Sequence, residues 1–161
     1  MTEPVRVAGP QDAEVVAELL VAFRDHLERD WPDAPVFLAG VRKLIERDDV
    51  EYLLAGDPPV GVAELRYRHG LWLDAEDCEL EDLFVRDEAQ GQGLGRALVA
   101  ATIERARERG CRRIQLDTGE ENVPAISLYE SLGFRSGGGE PGRFGIFMRR
   151  RITENMPPGV E

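Results

Sequence analysis

The sequence has few cysteines, few aromatic residues and no long apolar run. Its 161 residues include only Cys78 and Cys111, too few for a disulfide framework, so two buried free thiols are expected. Neither cysteine has the neighbours of a metal site, and no metal is predicted. No stretch approaches the roughly 18 apolar residues of a membrane span, and no charged leader precedes an apolar segment. We therefore expect a cytoplasmic protein.

Basic residues are also scarce. The chain has 31 acidic and 20 basic residues, which gives a net charge of −11. This charge repels nucleic acid and anionic membranes and favours small cationic amines or basic peptides as partners, although solubility explains it equally well. A chain of this length buries one core, so the sequence predicts a single domain over residues 1–152 and a polar C-terminal tail over residues 153–161.

Three of the 17 glycines alternate in one short stretch. Gly91, Gly93 and Gly95 alternate between a strand-like segment ending at Val85 and a helical pattern that starts near Leu94. Alternating glycines allow backbone N–H groups to converge where a helix begins, and that end carries a partial positive charge. The stretch therefore predicts a site for a phosphate or pyrophosphate.

Several phosphate-binding motifs compete for this stretch. A P-loop requires Lys followed by Ser or Thr after the last glycine, whereas Arg96 follows Gly95 here. A dinucleotide-binding fingerprint lacks its third glycine at Arg96, but Asp117 stands at a suitable distance for the acidic residue, so this motif stays as an alternative. A glycine-rich turn without a ligand is the third interpretation.

Gln90 to Gly95 resembles the Gln/Arg-x-x-Gly-x-Gly/Ala signature of the GNAT superfamily of acyl-CoA-dependent N-acetyltransferases. The resemblance covers roughly Cys78 to Phe134, and the segment from Asn122 to Phe134 is similar to the family's second cofactor segment. It implies acetyl-CoA as co-substrate. The cofactor-binding residues that it implies are Leu83, Phe84, Val85, Gln90, Gly91, Gln92, Gly93, Leu94, Gly95, Arg96 and Asn122.

Periodicity predicts an α/β fold (α+β in a finer division) with a mixed, mostly antiparallel central sheet and helices on both faces. A crossover helix makes the Glu79 strand parallel to the Arg113 strand, and the family resemblance implies that these two strands splay apart. The predicted elements are strand Pro4–Ala8, helix Gln11–Leu27, a helix over Phe37–Ile45, strands Glu51–Ala55 and Val60–Arg68 with Leu71–Leu73 as an extension, an acidic turn over Asp74–Asp77, a strand from Glu79, a helix ending near Arg109, strand Arg113–Thr118, a helix capped by Asn122 and a last strand over Phe144–Met148.

Glu81 is the first candidate catalytic residue. Leu80 to Val85 resembles the fourth strand of the diamine acetyltransferases, which implies that Glu81 activates the amine through water. Because an ordinary glutamate has a pKa of about 4.3, this role needs a raised pKa, a water relay or simple binding of the ammonium group. A solvated surface carboxylate is the alternative. Asp82, and Trp31 in the loop between the first two helices, are the candidate substrate-binding residues.

Tyr129 is the second candidate catalytic residue, because the departing thiolate benefits from a proton donor, although Tyr129 also suits the core. The resemblance implies an oxyanion donor at a backbone bulge around Leu83 and Phe84. Asn122 can bond the cofactor or only cap its helix.

These residues predict transfer of an acetyl group from acetyl-CoA to a primary amine in a ternary complex. The resemblance also implies a possible homodimer, because members of the family often dimerise. The alternative function is a catalytically silent acyl-CoA or dinucleotide binding module.

Overall fold

The computed structural model describes residues 5–136 and 148–155. The helices and strands are β1 (Val5–Val7), α1 (Ala13–His26), α2 (Ala34–Leu44), β2 (Val50–Ala55), β3 (Gly61–Gly70), β4 (Ala75–Val85), α3 (Leu94–Glu108), β5 (Arg113–Gln115) and α4 (Val123–Ser131). The predicted last strand lies outside the described residues except for Met148. Two compact units divide the chain. Met1–Asp117 holds the sheet with α1 to α3, and Thr118–Glu161 holds α4.

The first unit is built on a five-stranded sheet whose strands follow chain order from β1 to β5. The pairings β1–β2, β2–β3 and β3–β4 are antiparallel, and β4–β5 is parallel. The helix α3 connects β4 to β5, as a parallel crossover requires. The predicted mixed, mostly antiparallel sheet is confirmed.

Helices cover both faces of the sheet, as the sequence predicts. On one face Tyr52, Val62 and Phe84 pack in a common core, and this core is completed by α1 and α2 through Val16, Leu19, Leu20 and Val41. On the other face Glu51 forms an ion pair with Arg105 of α3 at 2.7 Å. Neighbouring residues of β2 therefore serve opposite faces, which is the period of two that a strand imposes.

The turn between β3 and β4 differs from the prediction. Leu71–Leu73 was expected to extend β3, but the amides of Leu73 and Asp74 bond back to Gly70 and Leu71, and Trp72 is fully exposed. Ala75–Asp77, predicted as an acidic turn, instead begins β4. Ladder bonds to β3 and, at Asp77, to β5 outweigh the low strand propensity of these acids.

The strand β4 contains a bulge, but not where it was predicted. Asp82 faces Glu64 and Leu80 faces Leu65, so Glu81 is the extra residue. The expected bulge around Leu83 and Phe84 is wrong, because both residues pair regularly with β3. An inserted residue disrupts the ladder locally and increases the twist of the strand.

The parallel ladder between β4 and β5 is short. It joins Asp77–Glu79 to Arg113–Gln115, and β5 ends there although a strand to Thr118 was predicted. β4 continues to Val85, so within the described ranges Leu80–Val85 has no ladder partner on its β5 side. Unpaired strand amides and carbonyls at this edge need partners of another kind. We call Ala75–Glu79 the paired half of β4 and Leu80–Val85 the open half.

Candidate active site

The glycine-rich loop lies between the open half of β4 and the start of α3. Gly91 and Gly93 have φ angles of 78° and 83°, and a Cβ atom at either position would meet no heavy atom within 4 Å. Gly93 is the N-cap of α3, and its carbonyl accepts the first helical bond from Ala97 at 3.0 Å. The preceding amides of the first turn therefore lack intrahelical partners. The loop therefore has the unpaired amides, the open space and the glycines that an anion site requires.

Gln90 attaches this loop to the strand before it. Its side-chain amide donates to the Val85 carbonyl at 3.0 Å and to Asp87 Oδ1 at 3.1 Å. Gln90 was predicted to bind cofactor, and the structure gives its side chain a contact within the protein. Gln92, Leu94, Gly95 and Arg96 complete the predicted loop residues at the start of the helix.

The open half of β4 presents its backbone rather than a buried pocket of side chains. Phe84 is 6% exposed and its ring stacks on Phe23 of α1 with centroids 5.2 Å apart. Leu83 and Val85 are partly exposed. These three predicted cofactor residues therefore combine one core side chain with a strand edge that has no ladder partner on its β5 side among the described residues.

A buried carboxylate group lies on the α1–α2 face beside the bulge. Glu64 of β3 is 4% exposed, and its Oε1 accepts the Tyr52 hydroxyl at 2.5 Å and Arg66 Nη2 at 3.3 Å. Asp82 faces Glu64 directly across the ladder between β3 and β4. Two carboxyl groups on facing residues repel each other when both are charged, which favours a proton on one of them. We call Glu64 and Asp82 the carboxylate pair.

The surroundings of Asp82 raise its proton affinity. Burial, followed by the charges of Glu64 and Glu81, raises the pKa of Asp82 to about 7. Burial and the charges of Glu79 and Glu64 also raise the pKa of Glu81, although the Glu81 side chain is exposed. Because the surface geometry of Glu81 allows water to screen it, Asp82 is the stronger candidate for a group that titrates near neutral pH.

The α1–α2 connection carries the other predicted substrate residue. Trp31 is partly buried in this loop, and Arg24 Nη1 holds the loop by donating to the Pro32 carbonyl at 2.7 Å. At the end of α1, His26 pairs with Asp87 at 3.0 Å, and its ring lies 5.8 Å from that of Phe84. An open cleft of about 330 Å³ lies here, lined by Ala22, Asp25, His26, Phe84, Arg86, Asp87 and Glu88.

The second unit holds Tyr129 and Asn122. The Tyr129 ring lies 5.8 Å from that of Phe134, and burial raises the pKa of its hydroxyl. Asn122 stands at the N-cap of α4, where its carbonyl accepts the Ile126 amide at 3.0 Å. Its side chain reaches Thr118 Oγ1 at 3.4 Å and forms no capping bond. Asn122 therefore occupies the N-cap position that was predicted for it, without a side-chain capping bond.

Sequence reasoning missed Glu64 and Tyr52. A signal was present, since Glu64 is the one acid in the apolar run Val60–Leu65. A carboxylate in a buried strand is costly unless it has partners or a use.

Within the described parts of the chain, no His, Cys, Asp or Glu cluster is arranged to hold a metal ion, and none of the helices is long and apolar enough to cross a membrane. Cys78 and Cys111 are free thiols, the first buried and the second partly buried.

Known proteins are similar to this chain in sequence. The profile of the Acetyltransferase (GNAT) family matches residues 16–134. Aminoglycoside N(6')-acetyltransferase type 1 from Stenotrophomonas maltophilia is 33% identical over 136 residues, which are 81% of this chain and 84% of that protein. Mycothiol acetyltransferase from Pseudarthrobacter chlorophenolicus is 48% identical over 110 residues, which are 67% of this chain and 30% of that longer protein.

Solved structures agree with these matches. A crystal structure from Arthrobacter sp. FB24 has a TM-score of 0.84 and 32% identity, over 93% of this chain and 96% of that one. An aminoglycoside acetyltransferase from a soil metagenome has a TM-score of 0.72 at 18% identity, over 91% and 96% of the two chains, which supports the fold alone. The family match covers β2 to β5, the glycine-rich loop and α4. The chain therefore belongs to the GNAT family of acetyltransferases and is an N-acetyltransferase.

Proposed function

We propose that the protein transfers the acetyl group of acetyl-CoA to a primary amine of a small, cationic acceptor by direct attack in a ternary complex. The observation that carries the proposal is the concentration of acids, Glu64, Glu81 and Asp82, at the open half of β4 beside an anion-binding loop. Acids attract and desolvate a cationic amine, whereas the loop takes a phosphate. One strand thus separates sites for oppositely charged groups.

The cofactor residues form two groups in this proposal. The backbone of the loop from Gly91 to Arg96 binds the pyrophosphate, because the first amides of α3 lack helical partners and the space beside Gly91 and Gly93 is open. The exposed edge at Leu83 and Val85 bonds the amide groups of the pantetheine arm. Gln90 and Phe84 support these surfaces from behind through the contacts described above.

Glu81 receives the ammonium group of the acceptor. Its exposed side chain on the bulge and its acidic neighbours suit a cation-binding role, which is one of the two roles that the sequence leaves open. Trp31 supplies an apolar wall to the acceptor pocket. Tyr129 gives a proton to the departing thiolate, and Asn122 bonds the pantetheine arm from the start of α4. The backbone amide at the Glu81 bulge is the proposed oxyanion donor.

A thiol-release assay tests the proposed function. Acetyl-CoA is mixed with the protein and, in separate reactions, an aminoglycoside, a polyamine, free amino acids and peptides with a free N-terminus. We expect turnover with small polycationic amines and little with a neutral amine of similar size. Failure of every amine, combined with thermal stabilisation by NAD but not by acetyl-CoA, would overturn the proposal in favour of a dinucleotide-binding module.

A further inference from the structure

The carboxylate pair has an unusual arrangement for buried acids. Glu64 lies within β3 at 4% exposure, while its partner Asp82 is partly open to solvent. Tyr52 and Arg66 both bond the same oxygen of Glu64, at 2.5 Å and 3.3 Å. The Glu64 carboxylate is therefore held from two sides. Asp82 faces Glu64 across the ladder and is the more exposed of the two.

The charge around the pair does not balance. The groups that act on Asp82 and its partners are Tyr52 on β2, Glu64 and Arg66 on β3, and Glu81 on β4. From α1, His26 approaches the same strand at Phe84 and is paired with Asp87. Among these groups, the cation that contacts the pair is Arg66, whose side chain is 41% exposed. Two close carboxylates with one solvated arginine favour retention of a proton.

The pair also stands at the place where β4 opens. Asp82 follows the bulge residue Glu81 directly and lies past the last parallel rung at Glu79. The side chains of Glu64 and Asp82 belong to the face that α1 and α2 cover. In the proposed function Glu81 receives the ammonium group, and the open edge at Leu83 and Val85 bonds the pantetheine arm. Asp82 stands between these residues in β4.

We infer that Asp82 is the catalytic residue that takes the proton from the acceptor ammonium group, and that Glu64, held by Tyr52, is its positioning residue. The inference rests on the proposed function and extends it. The ammonium group gives one proton to the Asp82 carboxylate, and its nitrogen becomes neutral. That nitrogen forms a bond with the thioester carbonyl carbon and the carbon–sulfur bond breaks. The sulfur leaves with the electron pair and gains the second proton that the nitrogen loses. Asp82 then returns its proton to water.

Steady-state kinetics across pH 5–9 test the assignment, with the acceptor of highest kcat/KM from the screen. We expect Asp82→Asn to lower kcat by about 100-fold or more and to remove the acidic limb of kcat/KM. Glu64→Gln removes the neighbouring charge and should move the midpoint of that limb to lower pH while Asp82 still acts. Asp77→Asn is the matched control, because Asp77 is a buried aspartate of the same strand with an arginine partner, and the midpoint should stay in place.

Carbon-13 NMR of the aspartate carboxyl groups in the substrate-free enzyme gives a second readout. The resonance lost in Asp82→Asn should titrate near pH 7, and the same resonance should titrate lower in Glu64→Gln. If Asp82 titrates below pH 5, the pair holds no proton and the inference falls. If Asp82→Asn only raises KM and keeps the acidic limb, Asp82 is an ammonium anchor and the inference also falls, with the acetyltransferase function intact. If no amine is acetylated, the proposed function fails first and the catalytic role fails with it.

Discussion

The two halves of β4 give their acidic side chains opposite kinds of partner. In the paired half, Asp77 is 4% exposed and bonds Arg113 at 2.7 Å, while Glu76 pairs with Arg109. In the open half, Asp82 faces another acid, Glu64, and Arg66 lies 3.3 Å from that acid. An acid that pairs with an arginine of the neighbouring strand helps to maintain the ladder. An acid that lacks such a partner has a pKa near neutrality, which suits it to proton transfer.

The largest expected effect is a loss of kcat, and it compares the proton donor proposed in α4 with the acids of the open half. If Tyr129 donates the proton to sulfur, Tyr129→Phe should lower kcat by roughly 10² to 10³ and leave acetyl-CoA affinity and melting temperature almost unchanged, because the ring contact with Phe134 survives. Single-turnover acetyl transfer at saturating acetyl-CoA measures this step. Equal rates in both proteins would make Tyr129 a packing residue and leave the acids of β4 as the only proposed proton carriers.

The second prediction separates the stabilities of the two halves. Arg113→Met leaves Asp77 buried with Arg68 at 3.9 Å, so we expect the free energy of unfolding to fall by about 2 kcal/mol at pH 6. Arg66→Met in the open half should cost less, because the carboxylate pair can neutralise one charge by binding a proton. Urea unfolding of both variants provides the comparison. Equal losses would mean that the pair does not adjust its protonation.

The third prediction concerns the loop that follows the open half. Gly93→Val should weaken CoA binding at least tenfold, because valine resists a φ of 83° and its side chain enters the space in front of the helix amides. Gly110→Val is the matched control, since Gly110 has a φ of 81° and equally open surroundings at the other end of α3. Calorimetry should show the loss in the first variant alone. Equal affinities would remove the loop from the site.

The fourth prediction is a pH dependence of stability. Because the folded-state pKa of Asp82 is raised from 3.8 to about 7, the folded state binds more protons than the unfolded state between these values. Stability should therefore fall as the pH rises from about 4 to about 7, and Asp82→Asn should flatten this slope. Urea unfolding at pH 5, 6, 7 and 8 measures it. A wild-type slope retained in the variant would assign the effect to other groups.

The smallest expected effect is the response to salt. If the acids of the open half attract the acceptor, kcat/KM for a cationic amine should fall a few-fold as ionic strength rises, and kcat should change little. A neutral amine of similar size provides the control. The same salt dependence for both acceptors would mean that the acids do not select charge.

The sequence was sufficient for most of the elements and for the loop. The apolar spacing in α1, α2 and α3 follows the helix period, and β2 and β3 are short strand-like runs joined by turn residues, so local patterns contain this information. Gly91 and Gly93 were informative for a related reason, because their positive φ angles are a backbone requirement that glycine meets without strain. The motif from Gln90 to Gly95 also indicated the family that the profile match confirms.

Tertiary structure decided how β4 is divided and what its acids do. Asp77 and Asp82 are the same residue type on one strand, and nothing local says that the first meets Arg113 while the second meets Glu64. The position of the bulge depends on how β3 aligns with β4, which is a pairing between distant segments. The raised pKa of Asp82 arises from burial and from a partner 18 positions earlier in the chain. Burial and long-range pairing exist only in the folded chain, so the charge environment of each acid is a property of the fold.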